Sequence, residues 1–381
     1  MKQVYVDNAA TTALDPEVLE AMLPYMQTMY GNASSLHAYG REAKVAIEKA
    51  RKSVAELLHA TPGEIFFTSG GTEGNNLSLV GAVQGYNIQH IITSPIEHVS
   101  VLHVIERLAT HHPLQVHYVD LHPDGELNYQ HLAQLLQRYS PALVSLMHGN
   151  NEVGTINDLL QIGNLCQQHG AIFHTDAVQT LGYYGWDLAT LPVDIVVGSG
   201  HKFHGPKGCG IVYVRDTLSI VPQIVGGGQE RTMRAGTENT AAIVGFSHAL
   251  EIAQHNMAAH REHILALKRH MIALLQAAIP DLTLNGASGD LSRSLYTVLS
   301  VTLPMDKAND MSLFNLDIKG VAASAGSACA SGSSLQSHVI ARLYPVAAEL
   351  GSVIRFSFSK YNTQAEIAYV VQALLDIVAE M

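Results

Sequence analysis

Short apolar runs alternate with helix-length stretches between about residues 61 and 215. Six of these runs predict buried strands, and several are apolar throughout, as in a parallel sheet that is covered on both faces. The runs are EIFFTS (64–69), HIITS (90–94), LQVHYVD (114–120), ALVSLMH (142–148), AIFHTD (171–176) and DIVVGS (194–199). A further run, CGIVYVR (209–215), predicts a strand that lies antiparallel at an edge of the sheet.

Stretches with apolar residues every three to four positions separate most of these strands. NYQHLAQLLQRY (128–139) predicts one helix, and the stretch 157–170 predicts another that ends at Gly170. Because strands and helices alternate, we expect an open α/β sheet.

The pattern changes after about residue 250. A long helical stretch (246–279) exceeds an ordinary globular helix, so we expect a break near 256–259. Strands at 295–303 and 353–359 and a closing helix from Thr363 then predict a smaller α+β domain.

Composition narrows the possible function. Of the 381 residues 47% are hydrophobic and 14% are charged, which is typical of an ordered globular protein. The net charge of −11 and the lack of a basic run argue against nucleic acid or anionic membranes as partners. The apolar runs are too short to span a bilayer, and the N-terminus lacks a signal-peptide pattern. Three cysteines and no metal-ligand motif favour a reducing cytoplasm and argue against a metal site.

Several strands are followed by polar or glycine-rich turns, which is where open α/β sheets bind ligands. SGGTEGNN (69–76) follows the first strand, and Thr72 would open a helix whose free N–H groups suit a phosphate, although such a turn is more often a plain helix cap. His98, Asn150 and Asn151 also lie after strands, where structural roles are common. Asp176 ends a buried strand and therefore needs a donor or cationic partner.

The strongest local signal is GSGHKFHGPKGCG (198–210). A lysine at the end of a buried strand, as at Lys202, is rare unless it is paired or reactive. Lys207 competes with it, but its GPKG turn favours a solvated side chain. A phosphate-binding helix start, a strand-end aspartate, a strand-end lysine and a nearby histidine together fit pyridoxal 5′-phosphate.

A run of small residues near the end of the chain, ASAGSACASGSS (323–334), contains Cys329. Its composition allows either a small apolar filler or a nucleophile on an exposed, mobile loop. Cys166 lies on a predicted helix beside Leu165, and Cys209 lies at a strand start, so both are expected to be structural.

These stretches resemble, in order and over nearly the whole chain, the motifs of cysteine desulfurases of the NifS/IscS-like group. That group belongs to the class V aminotransferases, which are fold-type I pyridoxal-phosphate enzymes. The resemblance rests on DNAATT (7–12), GNASSLHAYG (31–40), TSGGTEGNN (68–76), EHVSV (97–101), NNEVG (150–154), HTDAVQ (174–179), SGHKFHGPKG (199–208), RAGTEN (234–239), SAGSACASG (324–332) and RFSFS (355–359).

The resemblance implies a role for each matching residue. Lys202 would hold the cofactor covalently and act as the base at the substrate Cα, Asp176 would pair with the pyridinium nitrogen, and Cys329 would be the nucleophile that becomes a persulfide. His98 would stack on the ring and move protons, and Gln179 would contact the ring hydroxyl. The phosphate would be held by Gly71, Thr72, Ser199 and His201, with Thr237 reaching it from the second subunit of a homodimer. Asn151 and Arg355 would bind the substrate carboxylate, and Asn151 would also belong to the cofactor site.

The implied fold is a large cofactor-binding domain (12–256) with a mainly parallel seven-stranded sheet. Residues 1–11 and 257–381 would form the smaller domain, with the cysteine loop at about 323–336. The implied reaction converts L-cysteine to L-alanine and passes the persulfide sulfur to an acceptor protein, for iron–sulfur cluster or thio-cofactor synthesis. Two alternatives stay open: another class V enzyme (an aminotransferase or selenocysteine lyase), and a sulfur-transfer subunit that depends on a partner.

One part of the sequence departs from the family pattern. SSLQSHVI (333–340) lacks the Glu-Pro that relatives often have before Ser-His-Val, and ARLYPVAAELG (341–351) also differs. These differences do not touch the implied chemistry, but they concern the region where an acceptor would dock.

Overall fold

The computed structural model describes residues 2–304, 311–325, 337–344 and 351–379. After a short first strand, β1 (Val4–Tyr5), the chain builds a seven-stranded sheet with the order β2-β8-β7-β6-β5-β3-β4. Neighbouring strands from β4 to β7 run parallel, whereas β8 is antiparallel to both of its neighbours. The strands are β2 (Ile65–Thr68), β3 (His90–Thr93), β4 (Gln115–Tyr118), β5 (Leu143–Ser145), β6 (Ile172–Asp176), β7 (Ile195–Ser199) and β8 (Gly210–Val214).

This sheet confirms the predicted α/β class, but two details of the prediction are wrong. β8 lies inside the sheet, between β7 and β2, and β2 forms the edge. β4 forms the other edge, and its residues are half-buried or exposed. A strand that pairs on one side only can expose polar side chains such as Gln115 and His117, so β4 is not the buried strand that its apolar residues suggested.

Helices cover both faces of the sheet, which explains the apolar strands. Along β7, Ile195 and Val197 belong to one apolar cluster with residues of α3 and α4, while Val196 points into the opposite cluster with residues of α6 and α7. The helices are α1 (Pro16–Gln27), α2 (Ala38–Leu57), α3 (Gly71–Tyr86), α4 (Val99–His111), α5 (Tyr129–Tyr139), α6 (Leu159–His169), α7 (Thr240–His255) and α8 (Met257–Ala278).

Two predicted helix features are confirmed. The helix 159–169 ends at Gly170, whose φ of 64° lies in the left-handed region that glycine tolerates. The long helical stretch breaks at Asn256, within the predicted interval, into α7 and α8.

The last third of the chain forms a separate three-stranded antiparallel sheet, in which β10 lies between β9 and β12. β1 pairs in parallel with β11, so the first strand of the chain lies against this part. The division into domains stays a prediction. The remaining elements are β9 (Thr283–Leu284), β10 (Val298–Leu303), α9 (Ser312–Ile318), β11 (Val321–Ala322), α10 (His338–Leu343), β12 (Ser352–Ser357) and α11 (Gln364–Ala379).

Candidate active site

An open cleft of about 850 Å³, including space open to solvent, lies at the carboxyl ends of the parallel strands. Ten residues singled out from the sequence line it together, although they come from positions spread over most of the chain. They are Gly71, Thr72, His98, Asn151, Asp176, Gln179, Ser199, His201, Lys202 and Arg355.

Lys202 lies in a short 3₁₀ turn (Gly200–Lys202) that directly follows β7. Its Nζ donates hydrogen bonds to the main-chain oxygens of Ala9 and Ala10, at 2.6 and 2.8 Å. Tyr183 fixes the lysine backbone by donating its hydroxyl to the Lys202 carbonyl oxygen at 2.7 Å. The N-terminal segment therefore holds the ammonium group in the cleft.

Asp176 ends β6, is 7% exposed, and has the donors that its burial requires. Its Oδ2 accepts a hydrogen bond from Asn75 Nδ2 at 2.8 Å, and its Oδ1 accepts one from the Val178 amide at 2.9 Å. Asn75 is fully buried on α3 and also donates to Ser100 Oγ at 2.8 Å. The carboxylate is thus fixed in orientation by neutral donors.

His98 caps the N-terminus of α4, and its Nδ1 accepts the Ser100 amide hydrogen at 3.1 Å. Burial lowers the pKa of His98, the charge of nearby Lys202 lowers it further, and Asp176 acts in the opposite direction. The ring is therefore neutral at pH 7, and its proton lies on Nε2 because Nδ1 is an acceptor. A neutral, half-buried ring that is held by a cap can stack on a planar ligand.

The start of α3 lines the cleft with Gly71 and Thr72. Its cap residue, Gly70, supplies no side-chain hydrogen bond to the first amides of the helix, and such amides suit a phosphate. A Cβ at Gly71 would lie 2.7 Å from Val178 Cγ2, so a larger residue there would require that side chain to shift. Glu73, in the same turn, forms an ion pair with Arg234, and its Oε1 lies 2.8 Å from Arg234 Nε. The ion pair offsets the negative charge of Glu73, which would otherwise repel a bound phosphate.

Two further polar side chains lie near the same strand ends. His201 Nδ1 lies 3.1 Å from Thr11 Oγ1, and burial, with smaller contributions from Lys202 and Lys207, lowers the pKa of His201 to about 4. Gln179 donates from Nε2 to the Ala9 oxygen at 3.0 Å. Neutral donors and acceptors at these positions suit the oxygen atoms of a bound phosphate ester or phenol.

Arg355 lies on β12 and is only 1% exposed, yet its guanidinium group lines the cleft. Its NH1 donates to the Asn151 carbonyl oxygen at 2.9 Å and its NH2 donates to Asp7 Oδ1 at 2.8 Å. Its Nε has no hydrogen-bond partner among the described residues. A planar guanidinium group with spare donor capacity is well suited to a carboxylate.

The remaining residues singled out from the sequence lie away from the cleft or outside the described residues. Lys207 is exposed, and Cys166 and Cys209 are buried free thiols at 1% and 2% exposure, as expected. Thr237 is exposed and does not line the cleft of its own chain. Cys329 lies outside the described residues, so its role stays a prediction.

Sequence reasoning missed the residues that hold the predicted ones in place. Asn75, Ser100, Ala9 and Ala10 all lie within motifs that carried the resemblance, but nothing in their residue types distinguished them. Alanine acts here through its carbonyl oxygen, which side-chain chemistry cannot reveal. Asp7 is a further such residue, since it holds the Arg355 guanidinium group.

Comparisons with known proteins identify the family of this chain. The family model described as aminotransferase class-V matches residues 4–370. The cysteine desulfurase IscS of Clostridium botulinum (strain Hall) is 39% identical over 382 residues, which cover 100% of this chain and 95% of that protein. A cysteine desulfurase of Trichormus azollae is 38% identical over 382 residues, covering 100% and 94%.

Solved structures show the same likeness. A NifS-like protein superposes with a TM-score of 0.91 and 35% identity, covering 100% of both chains. The structure described as SspA in complex with cysteine has a TM-score of 0.80 and 32% identity, covering 95% of this chain and 100% of that one. The chain therefore belongs to the class V aminotransferase family. Within that family it belongs to the cysteine desulfurases of the NifS/IscS-like group.

Across the described ranges, no helix is both long and apolar enough to cross a bilayer.

Proposed function

We propose that this protein is a pyridoxal-phosphate-dependent cysteine desulfurase that converts L-cysteine to L-alanine and takes up the sulfur on Cys329. The observation that carries the proposal is the cleft in which Lys202, Asp176, His98 and Arg355 meet. The membership of the desulfurase family and the relative whose structure contains cysteine support the choice of substrate.

The residues of the cleft fit the cofactor. The amides at the start of α3, with Ser199 and His201, would hold the phosphate, and the close approach of Gly71 to Val178 favours a residue without a side chain there. Asp176 would face the ring nitrogen, His98 would cover the ring, and Gln179 would face its hydroxyl group. When bound through Lys202, the cofactor supplies an electron sink for the electrons of a substrate carbon.

Lys202 and Arg355 would handle the substrate. The Arg355 guanidinium group, with Asn151 beside it, would bind the carboxylate of L-cysteine and thereby place the substrate Cα. Once displaced by the substrate amine, Lys202 would act as the base at that carbon. The carbonyl oxygens of Ala9 and Ala10 would hold its Nζ within reach.

The transfer of the substrate sulfur to Cys329 needs no added oxidant. The Cys329 thiolate attacks the substrate sulfur, an S–S bond forms, and the C–S bond of the substrate breaks. The electron pair of that bond stays with the substrate carbon, which takes up a proton and leaves as L-alanine. The persulfide sulfur is then at the zero oxidation level and can pass to a thiol of an acceptor protein.

We also propose a homodimer that works in the cytoplasm. Large apolar side chains are strongly exposed on two segments, as at Leu36 (91%) and Val225 (82%). The two segments are neighbours, because Gln229 Nε2 of one donates a hydrogen bond to Ser34 Oγ of the other at 3.3 Å. An apolar face of this kind is typical of a subunit interface. In a dimer, Thr237 would reach the phosphate of the second subunit.

The proposed function is tested by measuring the products that the purified protein forms from L-cysteine. Purified protein with pyridoxal phosphate, L-cysteine and dithiothreitol should release alanine and sulfide in equal amounts. Cys329→Ala should abolish sulfide release, and Cys166→Ala should leave it unchanged because Cys166 is buried in the core. Equal sulfide release by wild type and Cys329→Ala would refute the persulfide role, and transfer of the amino group to an α-keto acid would favour an aminotransferase.

A further inference from the structure

Two hydrogen-bonded residues flank the part of the sequence that carries Cys329. Ser324 precedes Cys329 by five positions, and Ser337 follows it by eight. Both belong to the described residues: Ser324 contacts Arg355, which lines the cleft, and Ser337 contacts Glu152, the residue after Asn151 of the cleft. We call them the N-terminal root and the C-terminal root.

The N-terminal root is attached to the backbone of Arg355. The Arg355 amide donates to the Ser324 oxygen at 2.7 Å, and the Ser324 amide donates to the Arg355 oxygen at 3.3 Å. This pair of bonds forms an isolated antiparallel bridge beside β12. The side chain of the same arginine lines the cleft and contacts Asn151. A movement of Arg355 therefore acts directly on the root.

The C-terminal root is attached to Glu152. Ser337 donates its hydroxyl hydrogen to Glu152 Oε2, and its Oγ accepts the amides of Val339 and Ile340 as the cap of α10. Glu152 is 2% exposed, and burial raises its pKa. The neighbouring His338 donates from Nε2 to the Glu97 carbonyl oxygen at 3.0 Å, next to His98.

These contacts form one continuous path between the two roots. It runs from Ser324 to Arg355, from the Arg355 guanidinium group to the Asn151 carbonyl oxygen, along the chain to Glu152, and from Glu152 to Ser337. Three of its links are hydrogen bonds and one is a peptide bond. The group proposed to bind the substrate carboxylate is thus part of the structure that holds both roots.

We propose that Glu152 and Ser337 are positioning residues, which fix the C-terminal root against the carboxylate-binding turn so that substrate binding and placement of the Cys329 thiol are coupled. This inference rests on the proposed function.

The test must separate the Glu152 contact from the helix cap, because Ser337 makes both. Ser337→Ala removes both. Ser337→Asp keeps a good cap residue but places a second carboxylate against Glu152. Ser337→Thr preserves both and serves as the rescue. Asn128→Ala, which removes the cap of α5 away from the cleft, is the control for cap loss.

Steady-state kinetics give the first readout. For Ser337→Ala and Ser337→Asp we expect kcat for sulfide release to fall about tenfold, with KM for L-cysteine within about twofold of wild type, because the buried hydrogen bond to Glu152 is lost while Arg355 stays. Glu152→Gln added to Ser337→Ala should cause little further loss. Ser337→Thr and Asn128→Ala should match wild type. Wild-type kcat for Ser337→Asp would overturn the proposal, because it would show that only the cap matters.

The second readout does not need turnover. The rate at which iodoacetamide alkylates Cys329, followed by mass spectrometry, should change when saturating L-alanine binds to wild type, and this response should be absent in Ser337→Asp. An equal response in both proteins would overturn the coupling. If wild type fails to release sulfide, the proposed function fails, and the alkylation result still decides whether the roots and the carboxylate site are coupled.

Discussion

Asn75 Nδ2 donates to Asp176 Oδ2 at 2.8 Å and to Ser100 Oγ at the same distance, so one buried amide connects the Asp176 carboxylate with the residue whose amide is capped by His98. Both hydrogens of the amide group are used. Asn75 is fully buried, and this polar contact explains why an asparagine can lie inside α3.

Asn75→Asp should weaken cofactor binding by at least about tenfold, because it places a second carboxylate in contact with Asp176 and removes both donors. Asn75→Ala should have a smaller effect, since it removes the donors without adding charge. The measurement is the cofactor absorbance retained after gel filtration over a range of pyridoxal-phosphate concentrations. Asn76→Asp is the matched control, because the one hydrogen bond that its amide makes with the described residues is to the Thr72 oxygen on the helix surface. Equal retention by Asn75→Asp and Asn76→Asp would contradict this role.

Arg355→Lys should raise KM for L-cysteine about tenfold or more while cofactor retention stays unchanged. Lysine keeps the positive charge but cannot contact Asn151, Asp7 and a substrate carboxylate at once with a planar fork. Arg293→Lys is the control, because that arginine is 57% exposed and outside the cleft. An unchanged KM would show that the substrate carboxylate binds elsewhere.

Thr237 should act across the dimer. Its segment is held to the core by Arg51, whose NH1 lies 2.7 Å from buried Glu230 Oε2, and by the ion pair of Arg234 with Glu73 at the start of α3. Homodimers of Lys202→Ala should be inactive, and homodimers of Thr237→Ala should retain little cofactor.

Mixed dimers of these two variants, purified with two different affinity tags, should regain one working site. In that site Lys202 comes from one chain and Thr237 comes from the other. Sulfide release near half that of wild type per dimer is expected. Mixed dimers without activity above that of the two homodimers would contradict a shared site.

Lys268 should make stability depend on pH. It is fully buried on α8, donates to Ser294 Oγ and to the Leu295 oxygen at 2.8 Å each, and burial lowers its pKa from 10.5 to about 7. Between these two values the unfolded chain binds the proton and the folded chain does not, so folding becomes more favourable as pH rises.

The free energy of unfolding of wild type relative to Lys268→Met should therefore increase by about 2 kcal/mol between pH 7 and about pH 9. Urea unfolding at both pH values measures it, and Lys52→Met, at a side chain 70% exposed, is the control with no expected pH dependence. A constant difference between wild type and Lys268→Met would mean that Lys268 stays protonated when it is buried.

The sequence predicted the strand ends well, because a buried strand followed by a polar turn has a clear pattern and the carboxyl ends of parallel strands meet at one edge. Asp176 and Lys202 were found in this way, whereas Ser199 came only from the family resemblance. The position of β8 could not be predicted, because strand order depends on pairing between distant segments, which an apolar run does not encode.

The supporting contacts were hidden for other reasons. Asn75 lies on a helix, where an asparagine has the same sequence signal whether it faces solvent or, as here, a buried carboxylate. Ala9 and Ala10 contribute main-chain oxygens, so only the path of the N-terminal segment across the cleft makes them functional.

A single turnover without reductant shows most directly whether Cys329 takes up the substrate sulfur. The protein loaded with pyridoxal phosphate is mixed with one equivalent of L-cysteine, alkylated and digested, and both the peptide that contains Cys329 and the alanine formed are quantified. We expect this peptide to gain the mass of one sulfur atom, with one alanine formed for each persulfide. Alanine formation with no sulfur on Cys329, or with sulfur on another residue, would contradict this expectation.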